Sequence, residues 1–155
     1  AMRIGDTASV RAIIAHSTRR NEFSPLANLK SLNYLDAVLA RQEAALGGAD
    51  DAIMLNTAGR IAEATASNVF AVIGGRLLTP PATEGALPGI MRSIVIAAGH
   101  AYEEPLTVAA LNDAAEIVLT NALSVRPVIA LDGKIVGRGE PGPLALQLAI
   151  LPRQP

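Results

Sequence analysis

Cysteine is absent from the 155 residues, which excludes disulfides and thiolate metal sites and fits a reducing, cytoplasmic compartment. Lysine is almost absent as well, with Lys30 and Lys134 as the pair present. Charges, Gly and Pro interrupt every apolar stretch before 18 residues, so no membrane-spanning helix is expected. The opening AMRIGDTASV lacks a basic segment followed by a long apolar core and does not read as a signal peptide. A basic excess is missing too: 13 Lys+Arg stand against 14 Asp+Glu, a formal charge of −1, which argues against a nucleic-acid surface. Charged residues make up 17% and hydrophobic ones 50%. That balance argues against disorder and leaves little material for a fully solvated surface, so a shared interface is expected. Several chemical signatures are also lacking. His16 and His100 have no metal-like spacing and no H-E-x-x-H occurs, so no metal site is expected. The glycines form neither G-x-G-x-x-G nor a Walker loop, and there is no G-x-S-x-G elbow.

What is present fits a single domain over 1–155, long enough to bury roughly two thirds of its unfolded surface. SVRAIIAH has the β-branched character of a strand, and STRRNEFSPLANLK, with Pro25, reads as an ordered loop ending at Lys30. From Ser31 to Leu46 the spacing of Leu32, Leu35, Leu39 and Leu46 predicts a helix with those leucines as its apolar face. Ser31 or Asn33 is placed to accept first-turn N–H bonds, and Gly47-Gly48 ends the helix. DAIMLN and GRIAEATA read as strands joined through Thr57-Ala58-Gly59, and NVFAVIGGRLLTP as a hairpin turning at Gly74-Gly75, together an antiparallel meander. A Pro-rich loop then leads to a helix starting near Pro88 or Gly89 and ending near Gly99 or Tyr102. EPLTV is expected as a strand, AALNDAA as a short helix, and EIVLTN and RPVIALDGKIVG as strands, with Lys134 exposed beyond the Asp132-Gly133 turn. GPLALQLAI suits a terminal helix before LPRQP frays. The expected class is α/β (α+β), a largely antiparallel sheet or barrel-like meander with packed helices.

Two groups carry chemical interest. Lys30 with Tyr34 stands at a helix entrance, and Glu63 with Asn68 lies around an apolar meander, where a carboxylate costs free energy unless a cation or donor meets it. Gly85, Pro88 and Gly89 bring backbone close to a helix N-terminus, whose free N–H groups favour an anion at Gly89 to Ile90. Were these loops to converge, they would offer an imine-forming amine, a phenol, a buried carboxylate and a phosphate seat, the kit of a pyridoxal 5′-phosphate enzyme. Each residue also has an ordinary reading: a snorkelling or surface lysine, an edge-strand carboxylate, plain helix initiation.

SPLANLKSLNYLDAVLARQEA, DAIMLNTAGRIAEATASNVFAV, GRLLTPPATEGALPGIMR and AEIVLTNALSVRPV, in this order, resemble the successive signatures of the class IV aminotransferases. This is the fold-type IV pyridoxal phosphate group, which includes branched-chain and D-amino acid aminotransferases and aminodeoxychorismate lyase. The likeness runs from about Val10 to Gln147. It implies that Lys30 is the lysine that condenses with the cofactor and shuttles the substrate α-proton. Tyr34 matches a position that hydrogen-bonds the cofactor's phenolic oxygen in some members, and Glu63 matches the acidic partner of the pyridine nitrogen, with Asn68 supporting the adjacent turn. Leu87 is placed near the ring, Gly89, Ile90 and Met91 in the loop that receives the phosphate, and Asn121 in a second phosphate-side loop. Gly89-Ile90-Met91-Arg92 departs from the common G-I-T-R by losing a hydroxyl while keeping main-chain donors.

The resemblance further implies amino acid and 2-oxo acid substrates and a homodimer. The G-I-M-R and T-N-A-L forms are closer to aminodeoxychorismate lyase-like members, which release pyruvate and 4-aminobenzoate, so lyase chemistry stands beside transamination. Family members usually carry a smaller domain ahead of this region, and here about 29 residues precede Lys30. A fragment needing that domain and a noncatalytic scaffold are both open on sequence. Arg19 and Arg20 could touch a carboxylate, the cofactor periphery or only solvent, and Arg92 and Arg126 could be ion-pair partners.

Overall fold

A computed structural model describes residues 8–151; the leading Ala-Met and the expected fraying beyond Leu151 lie outside the described residues. Nine strands form one mixed, largely antiparallel sheet: β1 Val10–Ile14, β2 Asp51–Leu55, β3 Ile61–Ala64, β4 Asn68–Ile73, β5 Arg76–Thr79, β6 Tyr102–Glu103, β7 Glu116–Thr120, β8 Val125–Leu131 and β9 Lys134–Ile135. Their order is β3-β2-β1-β8-β7-β4-β5-β6, with β9 paired to β8. Strand β1 runs parallel to both β2 and β8, and β5 to β6. The helices are α1 Leu35–Leu46, α2 Ile90–Ala97, α3 Val108–Asn112 and α4 Pro143–Ala149.

The expected hairpins form. Gly74 and Gly75 take φ of +57° and +75°, the paired left-handed conformations that a two-residue turn between twisted strands demands. The continuous meander does not. Strands β3 and β4 follow one another through only Thr65–Ser67, yet β2, β1, β8 and β7 lie between them in the sheet. A sheet whose two distant strands are joined by so short a turn has to curl back on itself. The bond from Ala64 N–H to Ser67 O and that from Ile61 N–H to Leu106 O mark the curl. One face holds Ile53, Val69, Ile117 and Leu119; the other holds Phe70, Val118 and Val125 against Val95 of α2 and Leu144 and Leu148 of α4.

Two further expectations are corrected. No strand forms over EPLTV: pairing stops at Glu103, Pro105 lacks an N–H to extend a ladder, and the Thr107 side chain accepts from Ala110 N–H at 3.1 Å to cap α3 instead. The helix expected from Ser31 begins at Leu35, because the Ser31 hydroxyl accepts from Asn33 N–H at 3.3 Å and closes a local turn.

Its buried face also differs. Ala37, Ala40 and Ala44 pack on Ala52 and Met54 of β2, while Leu32, Leu35 and Leu39 point outward, Leu32 fully exposed and Leu35 65% exposed. Period 3.6 gives two candidate stripes on this helix; the alanine stripe wins because a fully buried strand accepts a close helix only through small side chains. Ala40→Leu should therefore overpack this layer at a cost of about 1–3 kcal/mol, lowering Tm by roughly 2–10 °C, whereas Leu35→Ser should stay within about 0.5 kcal/mol in the monomer. Thermal melts of the two variants decide which stripe is the inner one.

Candidate active site

The curl creates a cavity of ≈ 330 Å³ with Lys30, Tyr34, Glu63, Asn68, Leu87, Gly89, Ile90 and Asn121 in its wall. All were singled out from sequence. Four chain segments supply them.

The first is the approach to α1. Ser24 caps a 3₁₀ turn over Pro25–Asn28, after which Leu29 is extended and carries the chain to Lys30 at the cavity mouth. Lys30 Nζ donates to the Tyr34 hydroxyl at 2.9 Å and lies 5.6 Å from the centre of that ring. Both side chains are exposed, so the amine is reachable from solvent while the phenol holds its direction.

The second segment is β3 with its turn. Glu63 is buried, its Oε1 3.0 Å from Arg20 Nη2 and its Oε2 accepting from Leu87 N–H at 2.9 Å. Burial pushes the Glu63 carboxyl above its ordinary value, and this outweighs the opposing pull of Arg20, the Leu87 N–H and the more distant charge of Lys30. The site thus holds a carboxylate that one guanidinium does not fully compensate.

The third segment, Leu87 to Ile90, opens α2. Asn68 Nδ2 donates to Leu87 O at 2.7 Å, so Leu87 is gripped through its carbonyl by Asn68 and through its N–H by Glu63. A Cβ at Gly89 would fall 2.2 Å from Asn68 Oδ1; only glycine lets this loop lie against β4. The first-turn N–H groups of α2 have no partner within the helix and sit at its positive end, beside the cavity. Met91, expected in the same loop, is buried and does not line the cavity.

The fourth segment is the turn after β7. Asn121 Nδ2 donates to Ala66 O at 3.1 Å and Ser67 Oγ at 3.2 Å, while Oδ1 accepts from the N–H groups of Leu123 and Ser124 at 2.9 Å each. Asn121 therefore ties its own turn to the β3–β4 turn, and both form the wall.

Sequence reasoning left four arginines open. Arg19 donates to the carbonyls of Ala15, His16 and Thr18. Arg92 bonds Pro80 O and Glu103, and Arg126 bonds Asp51; both are internal ties. Arg20 belongs to the site through Glu63, and it also donates to Gly85 O and Ala27 O. Nothing local in RRNEF announces that pairing; the bridge between Arg20 and Asn56 brings it about. Thr65, Ser67 and Thr120 also line the cavity without having been singled out. Among the described residues no cluster of metal-ligating side chains occurs, and His16 and His100 are exposed.

The sequence profile of the family described as amino-transferase class IV matches residues 2–131. A Methanocaldococcus jannaschii protein provisionally named a branched-chain-amino-acid aminotransferase is 37% identical over 126 residues, covering 77% of this chain and 44% of its own. The branched-chain amino acid aminotransferase of Thermobaculum terrenum, solved in a pyridoxal phosphate holo-form, superposes with a TM-score of 0.87 at 34% identity, over 96% of this chain and 51% of that one. A Legionella pneumophila structure, provisionally named a 4-amino-4-deoxychorismate lyase, gives 0.86 at 35%, over 94% and 56%. The chain belongs to the class IV aminotransferase family. It spans about half the length of the relatives it matches.

Proposed function

We propose that this chain is the large cofactor-binding domain of a pyridoxal 5′-phosphate-dependent aminotransferase, which moves an amino group between an amino acid and a 2-oxo acid. The observation that carries the reading is the placement of the Lys30 amine, the Tyr34 hydroxyl and the buried Glu63 carboxylate in one cavity with the α2 N-terminus. The residues fit the cofactor. An amine reachable from solvent meets an aldehyde, a partly compensated buried carboxylate meets a protonated ring nitrogen, and free helix N–H groups meet a phosphate. When bound, the cofactor supplies an electron sink that lets the Cα–H bond of an amino acid break.

This chain's own residues do the rest. Lys30 would anchor the aldehyde carbon and, once released by substrate, take and return the α-proton at Nζ, with Tyr34 orienting that nitrogen. Glu63, held by Arg20 and Leu87 N–H, would keep a proton on the ring nitrogen. Asn68 and Asn121 fix the loops against which the ring and phosphate would lie. Lys30 and Tyr34 face solvent at the mouth, so the substrate side of the pocket needs cover; the smaller N-terminal domain of the family would provide it. The outward leucines of α1 and the segment before it support a homodimer, which sedimentation at micromolar concentration tests. The cysteine-free sequence supports a cytoplasmic location, and no helix among the described residues is long and apolar enough to cross a membrane.

Lyase chemistry is the second reading, supported by Gly89-Ile90-Met91-Arg92, Asn121 and the Legionella likeness. Both reactions start with the same proton removal, so one assay on the intact protein separates them. A single-turnover reaction with a branched-chain amino acid or D-alanine should convert the bound cofactor to pyridoxamine 5′-phosphate. Release of pyruvate and 4-aminobenzoate from aminodeoxychorismate, without that conversion, would overturn transamination.

A further inference from the structure

Among the described residues Glu63 bonds Arg20 and the Leu87 N–H, and both partners depend on the segment from Glu84 to Leu87. Gly85 O accepts from Arg20 Nε at 3.3 Å, and Leu87 follows two residues later. Gly85 takes φ of +94°, and a Cβ there would fall 3.3 Å from Arg20 Cβ, so this backbone lies against the base of the Arg20 side chain. The anchor of the segment is Glu84, buried at the end of the 3₁₀ turn Ala82–Glu84. A buried carboxylate is costly unless donors meet it, and three do. Glu84 Oε2 accepts from Asn56 Nδ2 at 2.6 Å and lies 2.5 Å from Arg60 Nε, while Oε1 accepts from Arg60 Nη2 at 3.1 Å. Asn56 is fully buried, accepts at Oδ1 from the N–H groups of Ala58 and Arg60, and is itself bridged to Arg20. Glu84 thus ties the turn after β2 to the loop carrying Gly85 and Leu87, with Arg20 held by both. It lies outside the cavity wall.

We propose that Glu84 is a positioning residue: its bonds to Asn56 and Arg60 hold Gly85 where its carbonyl aligns Arg20, and Leu87 where its N–H meets Glu63, so that Glu84 sets how far the burial of Glu63 is compensated. The bearing of this on turnover rests on the pyridoxal 5′-phosphate reading of the cavity; its bearing on Glu63 does not.

Two substitutions separate reach from charge. Glu84→Asp keeps the charge but is one methylene short of Asn56, whereas Glu84→Gln keeps the length and an oxygen for Asn56 Nδ2 and Arg60 Nε. Arg60 is half-exposed and Asn56 Nδ2 keeps Glu84 O at 3.3 Å, so Glu84→Asp should fold. The charged and titratable groups around Glu63, namely Arg20, Lys30 and Tyr34, are the same in both. Removing an anion by itself makes Glu63 easier to ionise; losing its aligned donors makes it harder. The readout is the pH at which Glu63 titrates in the ligand-free intact protein, followed by ¹³C NMR of carboxyl-labelled glutamate and assigned by the signal missing in Glu63→Gln. Glu84→Asp should move that midpoint up and slow turnover of the holoenzyme about 10- to 10²-fold, while Glu84→Gln should leave the midpoint at or below that of wild type. An unmoved midpoint in Glu84→Asp, with only a lower melting temperature, makes Glu84 a structural tie and overturns the assignment. So does a downward shift in Glu84→Gln with none in Glu84→Asp, which is plain charge coupling. A wild-type protein that fails to condense with pyridoxal 5′-phosphate removes the cofactor reading, and the titration still decides the role of Glu84.

Discussion

Lys30→Ala should abolish the visible absorbance that pyridoxal 5′-phosphate gains on condensing with the protein and reduce turnover of the intact enzyme on the order of 10⁴-fold or more, with the fold intact. The size follows from the two roles proposed for Lys30 being lost together: the covalent anchor, and a proton carrier whose contribution alone is typically 10²–10⁴-fold. The intact fold follows from position. Lys30 is exposed, and among the described residues its side chain bonds only Tyr34, so truncation should change stability by no more than about 0.5 kcal/mol. Lys30→Arg sharpens the result. It keeps a cation near the mouth, and with it the pull on Glu63, but a guanidinium is neither a nucleophile nor a proton carrier near neutral pH. If either variant retains the absorbance, the amine is not the anchor. Lys134, exposed on the β8–β9 hairpin, serves as the control whose replacement should change nothing.

The loss in Lys30→Ala depends on where the chain places this amine, and that placement was only partly legible. Alternation and turn chemistry located most strands, and Gly74-Gly75 and Gly47 behave as expected, whereas Thr107, read as part of a strand, caps α3. Long-range order was not legible. Nothing in DAIMLN or EIVLTN says that β1 will lie between β2 and β8, because strand order is decided by which buried faces meet. The face of α1 was misread for a related reason: leucine spacing and alanine spacing both satisfy a helical period, and only the all-buried β2 selects alanine. The site shows the same division. Glu63 could be noticed as a carboxylate in an apolar strand, but its Arg20 partner needed the bridge between Arg20 and Asn56.

Glu63→Gln should separate cofactor chemistry from fold stability. In the ligand-free chain, burial raises the Glu63 carboxyl above its ordinary value. A raised carboxyl binds its proton more tightly in the native than in the unfolded chain. Its contribution is therefore fully present below the unfolded pKa, declines as pH rises from there through the folded value, and is gone above it. Wild type should lose stability across that window relative to Glu63→Gln, whose amide does not titrate, and parallel denaturant titrations from about pH 4 to pH 8 read the difference. Glutamine keeps one oxygen, enough for either Arg20 or the Leu87 N–H, and leaves the other donor unpartnered, so the variant should fold at a cost of about 1–3 kcal/mol that does not vary with pH. Arg20→Ala should not be tolerated as well: it leaves a buried carboxylate without its ion-pair partner, at a cost of about 3–5 kcal/mol. With cofactor bound the order reverses. A protonated ring nitrogen would give wild-type Glu63 a second cation and favour its charged form, whereas glutamine could not hold that charge. The variant should still show the Lys30-dependent absorbance yet turn over about 10²–10³-fold more slowly, the scale seen when one preorganised electrostatic contact is lost. Wild-type turnover in Glu63→Gln would mean that the acid at the ring nitrogen is another residue; pH-stability curves that coincide would mean that Arg20 and the Leu87 N–H fully offset the burial of the carboxylate.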